Sequence, residues 1–132
     1  MCGFAGMWNT TISHYSDDLS DEIFYKLNKR GPDNRGYTKY SKDNQKFFHL
    51  WHTRLSIQDI SKRSNQPYED NNSALVYNGE IYNHNDLNIF KSPKKVFSDT
   101  DFVWNAYKQN GFYDYISQIE GMWAIAFIDK EQ

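Results

Sequence analysis

The stretch Ala74-Leu75-Val76-Tyr77-Asn78-Gly79-Glu80-Ile81-Tyr82-Asn83 sets an apolar run against an Asn-Gly pair. Ala74 to Tyr77 reads as a strand, and Asn78-Gly79 as the strongest short hairpin-turn signal in the chain, leading into Glu80-Ile81-Tyr82. Working outward, Phe47, Phe48, Leu50, Trp51, Leu55 and Ile57 place two or three short strands within residues 36–59. Gly3 to Trp8 reads as a buried strand and Met122 to Asp129 as a last one, with a polar loop over Asp59 to Asn72. Leu19, Ile23 and Leu27 recur at helical spacing and predict a helix over 17–30, its first turns crowded with Asp17, Asp18, Asp21 and Glu22, which suit the helix dipole. Arg30-Gly31-Pro32 stops it. His84 to Phe90 fits a short helix. Ser98 reads as the N-cap of another that runs to about Gln109, with Phe102, Val103, Ala106 and Tyr107 on its apolar side and Gly111 at its end. Strands outnumber helices, and the helices fall between strand pairs. That pattern predicts largely antiparallel α+β layers over one core.

The chain has 132 residues, enough for one domain with a real core. Hydrophobic residues at 39% against 24% charged exclude collagen-like, linker-like and disordered classes. Aromatics at 17% point to a packed core or a stacking surface rather than a coiled coil. Fifteen basic residues face seventeen acidic ones, so the basic excess of a phosphate-gripping nucleic-acid binder is missing. One cysteine forbids an internal disulfide and favours a reducing compartment, which gives a cytoplasmic expectation. No apolar run is long enough to span a bilayer, and the N-terminus lacks the basic region of a signal peptide, so no membrane partner is expected.

Several residues are candidates for chemistry. If Met1 is removed, Cys2 carries a thiol and a free α-amine on one carbon. The ordinary pKa of such an amine, about 7.7–8.0, suits a proton shuttle, so an N-terminal nucleophile can be activated without a histidine. Taken alone, the plainer reading of Cys2 is a buried structural thiol. Asn78 and Gly79 offer a side-chain amide and a backbone N–H to a developing oxyanion, but the pair alone is an ordinary turn. Arg54 could hold a carboxylate bidentately or simply sit on an edge strand. Asp99 could pair with an ammonium group or only complement a helix N-terminus. His49 and His52 are three apart, on opposite faces of a strand, and no Cys or Glu cluster joins them, so no metal site is expected.

The order and wording of the segments say more than each alone. Met1-Cys2-Gly3-Phe4-Ala5-Gly6 is followed by Arg30-Gly31-Pro32-Asp33, His52-Thr53-Arg54-Leu55-Ser56-Ile57, Asn65-Gln66-Pro67-Tyr68, Tyr77 to Asn83, Ser98-Asp99-Thr100 and Gly121 to Phe127. Over nearly its whole length the chain resembles the class II glutamine amidotransferase domain, in the branch of the glutamine-hydrolysing asparagine synthetases. The resemblance implies an N-terminal nucleophile hydrolase fold, two stacked antiparallel sheets flanked by helices (αββα). It implies that Cys2 attacks the side-chain amide of glutamine, that Asn78 and Gly79 hold the oxyanion and that Arg54 binds the α-carboxylate. Asp99 would bind the α-amino group with help from Glu80, and backbone groups of Leu55, Ser56, Ile57 and Gln58 would line the pocket.

Three departures stand out. Asn34 and Arg35 follow Arg-Gly-Pro-Asp where the family has an acid, and Asp101 stands where relatives have Glu. Relatives also continue past the position of Gln132 with further strands and then a synthetase domain, whose Ser-Gly-Gly-x-Asp-Ser motif is not in this sequence. The expectation is therefore residues 1–132 as the N-terminal part of the amidotransferase domain, without the last strands and of marginal stability. No cofactor is expected in this chain, ATP and Mg²⁺ belonging to the synthetase half. The expected partners are glutamine and a synthetase domain in cis or trans. The competing expectation is a non-catalytic glutamine-binding or assembly module.

Overall fold

Side chains alternate between the two faces of a strand, so a strand with both faces buried must lie between two layers. Ser73 to Tyr77 are all buried, as are His49 to Arg54. The computed structural model describes residues 1–9, 17–42, 46–57, 59–83, 96–110 and 113–131. β1 (Gly3–Asn9), β2 (Asn34–Lys42) and β3 (Lys46–Arg54) form one antiparallel sheet in the order β1-β3-β2. β4 (Tyr68–Glu69), β5 (Ser73–Ile81) and β6 (Gly121–Asp129) form a second, in the order β4-β5-β6. The helices are α1 (Asp17–Leu27), α2 (Asp99–Asn110) and the single turn α3 (Tyr113–Ile116).

Two apolar layers hold these elements together. Leu50 of β3 meets Ala74 and Val76 of β5 and Ile128 of β6 between the sheets, with Phe4, Tyr40, Phe48 and Ala126 around them. On the other face of β5, Leu75, Tyr77 and Ile81 pack against Phe102, Val103 and Ala106 of α2. α1 covers the outer face of the first sheet. There Trp51 Nε1 donates to Ser20 Oγ at 3.0 Å and Thr53 Oγ1 donates to the Leu27 carbonyl at 3.0 Å. The resulting order of helix, sheet, sheet, helix is the αββα layering of an N-terminal nucleophile hydrolase.

The structure revises several sequence expectations. Asn78-Gly79 is not a turn. β5 runs on through it to Ile81, because Asn78 pairs with Ala124 and Gly79 with Trp123 on β6. Glycine is needed there for close approach: a Cβ on Gly79 would lie 2.3 Å from the Met122 carbonyl oxygen. The expected buried strand β1 is an edge strand, its Trp8 65% exposed and stacked on Phe48. Residues 36–59 hold not several short strands but most of two nine-residue strands. α1 ends at Leu27, where the Arg30 N–H and the Thr53 hydroxyl both take the last carbonyl. The polar loop contains the short β4 and a 3₁₀ turn at Lys62–Ser64, and α3 had no sequence signal. Ser98 caps α2 as expected, accepting from the Asp101 N–H at 3.2 Å. The helix expected over 84–90 and the stop at Gly111 lie outside the described residues.

His52 is fully buried between the sheets, and its ring nitrogens make no hydrogen bond of good geometry. Burial lowers its pKa to about 4. The nearby Tyr77 backbone opposes that shift, and the Arg54 charge adds to it. The unfolded chain, with an ordinary histidine near 6.5, therefore binds this proton more readily than the folded one. Stability held above pH ~6.5 should be lost as pH falls toward about 4, by on the order of 3 kcal/mol from this group. Urea unfolding between pH 7 and 4.5 should show that slope, and His52→Asn should flatten it. By contrast, Phe102→Ala, at a site 1% exposed, should cost roughly 3–5 kcal/mol at every pH, read as a lower urea midpoint.

Candidate active site

The antiparallel register of β1 on β3 sets Gly3 against Thr53, so the chain before β1 runs beside the chain leaving β3. Cys2 is thereby brought to Leu55, whose N–H donates to Cys2 Sγ at 3.3 Å. The thiol lies 3.7 Å from the Leu55 carbonyl. The turn after α1 braces this junction. Arg30 Nε donates to the Cys2 carbonyl at 3.0 Å. Gly31 lies so close to β3 that a Cβ there would sit 2.5 Å from the Thr53 carbonyl oxygen. The Asp33 N–H donates to the Arg54 carbonyl at 2.9 Å, and its carboxylate accepts from the Ser56 N–H at 2.7 Å. Sequence reasoning gave this segment no role beyond a helix stop and a family marker. Its signal was the unbroken wording Arg-Gly-Pro-Asp.

Arg54 is 5% exposed at the end of β3. Its guanidinium donates to the Ser61 carbonyl and to Asn65 Oδ1, both at 2.7 Å, and to the Asp59 carbonyl. The loop that supplies those oxygens is tied up by one carboxylate. Asp59 accepts from the Ser61 N–H, from Arg63 Nε and from Ser64 Oγ. Those donors, Arg63 first, hold its carboxyl well below the usual range. Arg63 in turn lies 3.5 Å from the centroid of the Phe97 ring.

The facing wall comes from β5 and the start of α2. Asp99 is buried, and its Oδ2 accepts from the Ile81 N–H at 2.9 Å. Gln66 is buried too: its Oε1 accepts from the Tyr77 N–H at 2.6 Å and its Nε2 donates to Thr100 Oγ1 at 3.0 Å. Burial, then the Asp99 and Glu80 charges, push the Tyr77 phenol far above its ordinary pKa, so it stays protonated.

Between these walls lies a cleft of about 200 Å³. Cys2, Arg54, Leu55 and Ile57 line it from the first sheet and its exit; Asn78, Gly79, Glu80 and Asp99 line it from the second sheet and α2. Ser56 is not among its lining residues, its N–H being turned to Asp33, and Gln58 lies outside the described residues. Asp59, Ser64, Gln66 and Thr100 also line the cleft and were given no site role from sequence, though Asn65-Gln66-Pro67 and Ser98-Asp99-Thr100 had been picked out. Met1, which precedes Cys2, also lines the cleft. His49 stacks against both Tyr37 and Trp51 on one face of β3, while His52 faces the other sheet, so the two imidazoles do not converge. Among the described residues, no group of three or more His, Cys, Asp or Glu is placed to hold a metal ion, and no helix is long and apolar enough to cross a membrane.

In comparisons with known proteins, the family model of the glutamine amidotransferase domain matches residues 1–132. The chain is 32% identical to asparagine synthetase (glutamine-hydrolysing) 2 of Bacillus subtilis, with all of this chain and 18% of that protein covered. It is 32% identical to asparagine synthetase B (glutamine-hydrolysing) of Escherichia coli, with 84% of this chain and 20% of that protein covered. It is 32% identical to the amidase chyE of Penicillium rubens, with 94% of this chain and 18% of that protein covered. The chain spans between 18% and 28% of the length of the curated relatives it matches.

Proposed function

We propose, from the premise that this chain belongs to the glutamine amidotransferase domain family, that it hydrolyses the side-chain amide of glutamine with Cys2 as nucleophile. The observation that carries this reading is the cleft itself. It sets a thiol on one wall, an asparagine amide and a glycine backbone on the other, and an opposed pair of charges, Arg54 and Asp99, in the same space. A thiol, an oxyanion site and a cation–anion pair are what a zwitterionic amino acid with a side-chain amide requires.

On this reading Met1 is removed and the α-amine of Cys2 takes the thiol proton. Sγ attacks the amide carbon, and the oxyanion settles between the Asn78 amide and the Gly79 N–H. The amine returns its proton to the leaving nitrogen, ammonia departs and a thioester remains. Water then hydrolyses the thioester to glutamate and frees Sγ. Arg54 receives the α-carboxylate and Asp99 the α-ammonium, with Glu80 assisting. The backbone of Leu55 and Ile57 would help shape the pocket. The ammonia would pass to an asparagine synthetase-type domain in cis or trans that amidates aspartate, and ATP and Mg²⁺ would be held there. The setting is cytoplasmic.

The test uses a glutamine-mimicking diazoketone, with the adduct located by mass spectrometry. Labelling at Cys2, with Met1 absent and with protection by glutamine, is expected. Cys2→Ala should abolish both labelling and ammonia release. Asn78→Ala should lower kcat by roughly 10²–10³, the cost of one oxyanion donor. A folded, Met1-processed chain that takes no label and releases no ammonia would sink the hydrolase reading in favour of a non-catalytic glutamine-binding module.

A further inference from the structure

The loop over residues 59–65 is built around a single carboxylate. Asp59 takes three donors, one from its own backbone turn at Ser61 and two from the side chains of Arg63 and Ser64. The same turn presents the carbonyls of Asp59 and Ser61, with the Asn65 side-chain oxygen, to Arg54. These bonds occupy three of the five N–H groups of a guanidinium, which fixes its plane and leaves a defined edge for a substrate. The loop also reaches the other charge. Ser64 Oγ, which gives its proton to Asp59, also lies 3.4 Å from Ser98 Oγ, and Arg63 covers Phe97, so the segment leading into Asp99 is docked on the Asp59 turn.

We infer that Asp59 is a positioning residue for glutamine recognition, holding Arg54 in the one orientation that reads an α-carboxylate and keeping it in register with Asp99. The inference rests on the hydrolase reading above. Asp59 acts through Arg54 and touches no reacting atom, so its loss weakens binding of the amino-acid head and leaves the bond-breaking step alone. A substrate lacking the carboxylate has nothing for Arg54 to orient on.

The test compares ammonia release from glutamine and from glutamine α-amide, in which the α-carboxylate is replaced by a neutral amide. Asp59→Ala should raise KM for glutamine about tenfold with kcat within twofold, and leave KM for the α-amide unchanged. Asp59→Asn keeps the shape and one acceptor oxygen but loses the charge facing Arg63. It should give a smaller rise of the same kind, and it serves if the alanine variant does not fold. KM values for glutamine that match the parent chain in both variants would overturn the inference. So would an equal rise for both substrates, or a parallel loss of kcat, because either marks Asp59 as only structural. A parent chain inactive on both substrates and unlabelled at Cys2 would remove the hydrolase reading and this inference with it. An active parent with insensitive variants removes this inference alone.

Discussion

The hydrogen bond from the Leu55 N–H to Cys2 Sγ, 3.3 Å long, is the contact around which the rest of the site is arranged. It exists because β1 and β3 pair in one register, and that register is fixed by burial. Leu50 and His52 face the second sheet while Trp51 and Thr53 face α1. A slip of one residue would exchange the two sets and drive Trp51 into the space between the sheets. The apolar pattern of β3 therefore sets where the thiol lies, although none of the residues that make the pattern touches it. The turn at Gly31 and Asp33 then keeps the strand exit from fraying, through bonds to the Arg54 carbonyl and the Ser56 N–H.

Two charges are buried at this junction, and a buried charge is costly unless its hydrogen-bonding groups are met. Arg54 is met by oxygens of the loop after it, and Asp99 by the Ile81 N–H of β5. The loop thus replaces water around the guanidinium. This explains how a charged Arg54 can be buried beside so polar a stretch: the Asp59 and Ser61 carbonyls are aimed inward at the cation, and the Asp59 carboxylate is aimed back at donors of its own loop.

How much of this was legible in the sequence depended on how local the cause was. α2 could be read because its cap, Ser98, and its buried stripe, Phe102, Val103 and Ala106, lie within three turns of one another. β5 was cut short because Asn-Gly is a turn signal in isolation, and only pairing with β6, more than forty residues away in sequence, overrides it. Cys2, Arg54, Asn78, Gly79 and Asp99 were visible as candidates through their chemistry and the wording around them, and the structure places them on one cleft. Asp33, Asp59 and Gln66 were passed over because each acts through partners that no spacing rule connects to it. The bonds of Gln66, for instance, reach 11 and 34 residues along the chain.

Gln66 also shows how the second wall is made rigid. Its amide joins the Tyr77 N–H of β5 to the Thr100 hydroxyl of α2, and the Asp99 carboxylate joins α2 to the Ile81 N–H of the same strand. The two bonds bracket Asn78, Gly79 and Glu80 on β5, so that segment cannot shift along or away from α2 without breaking one of them. On its other side the segment is clamped by the approach of Met122 to Gly79, which leaves no room for a Cβ. Donors that serve a transition state do so best when they need not move to meet it. A strand fixed at three points around the proposed oxyanion pair meets that condition before any substrate arrives. The Asn-Gly pair therefore serves here as the inflexible part of a strand, held by its neighbours where a free hairpin would have let it turn.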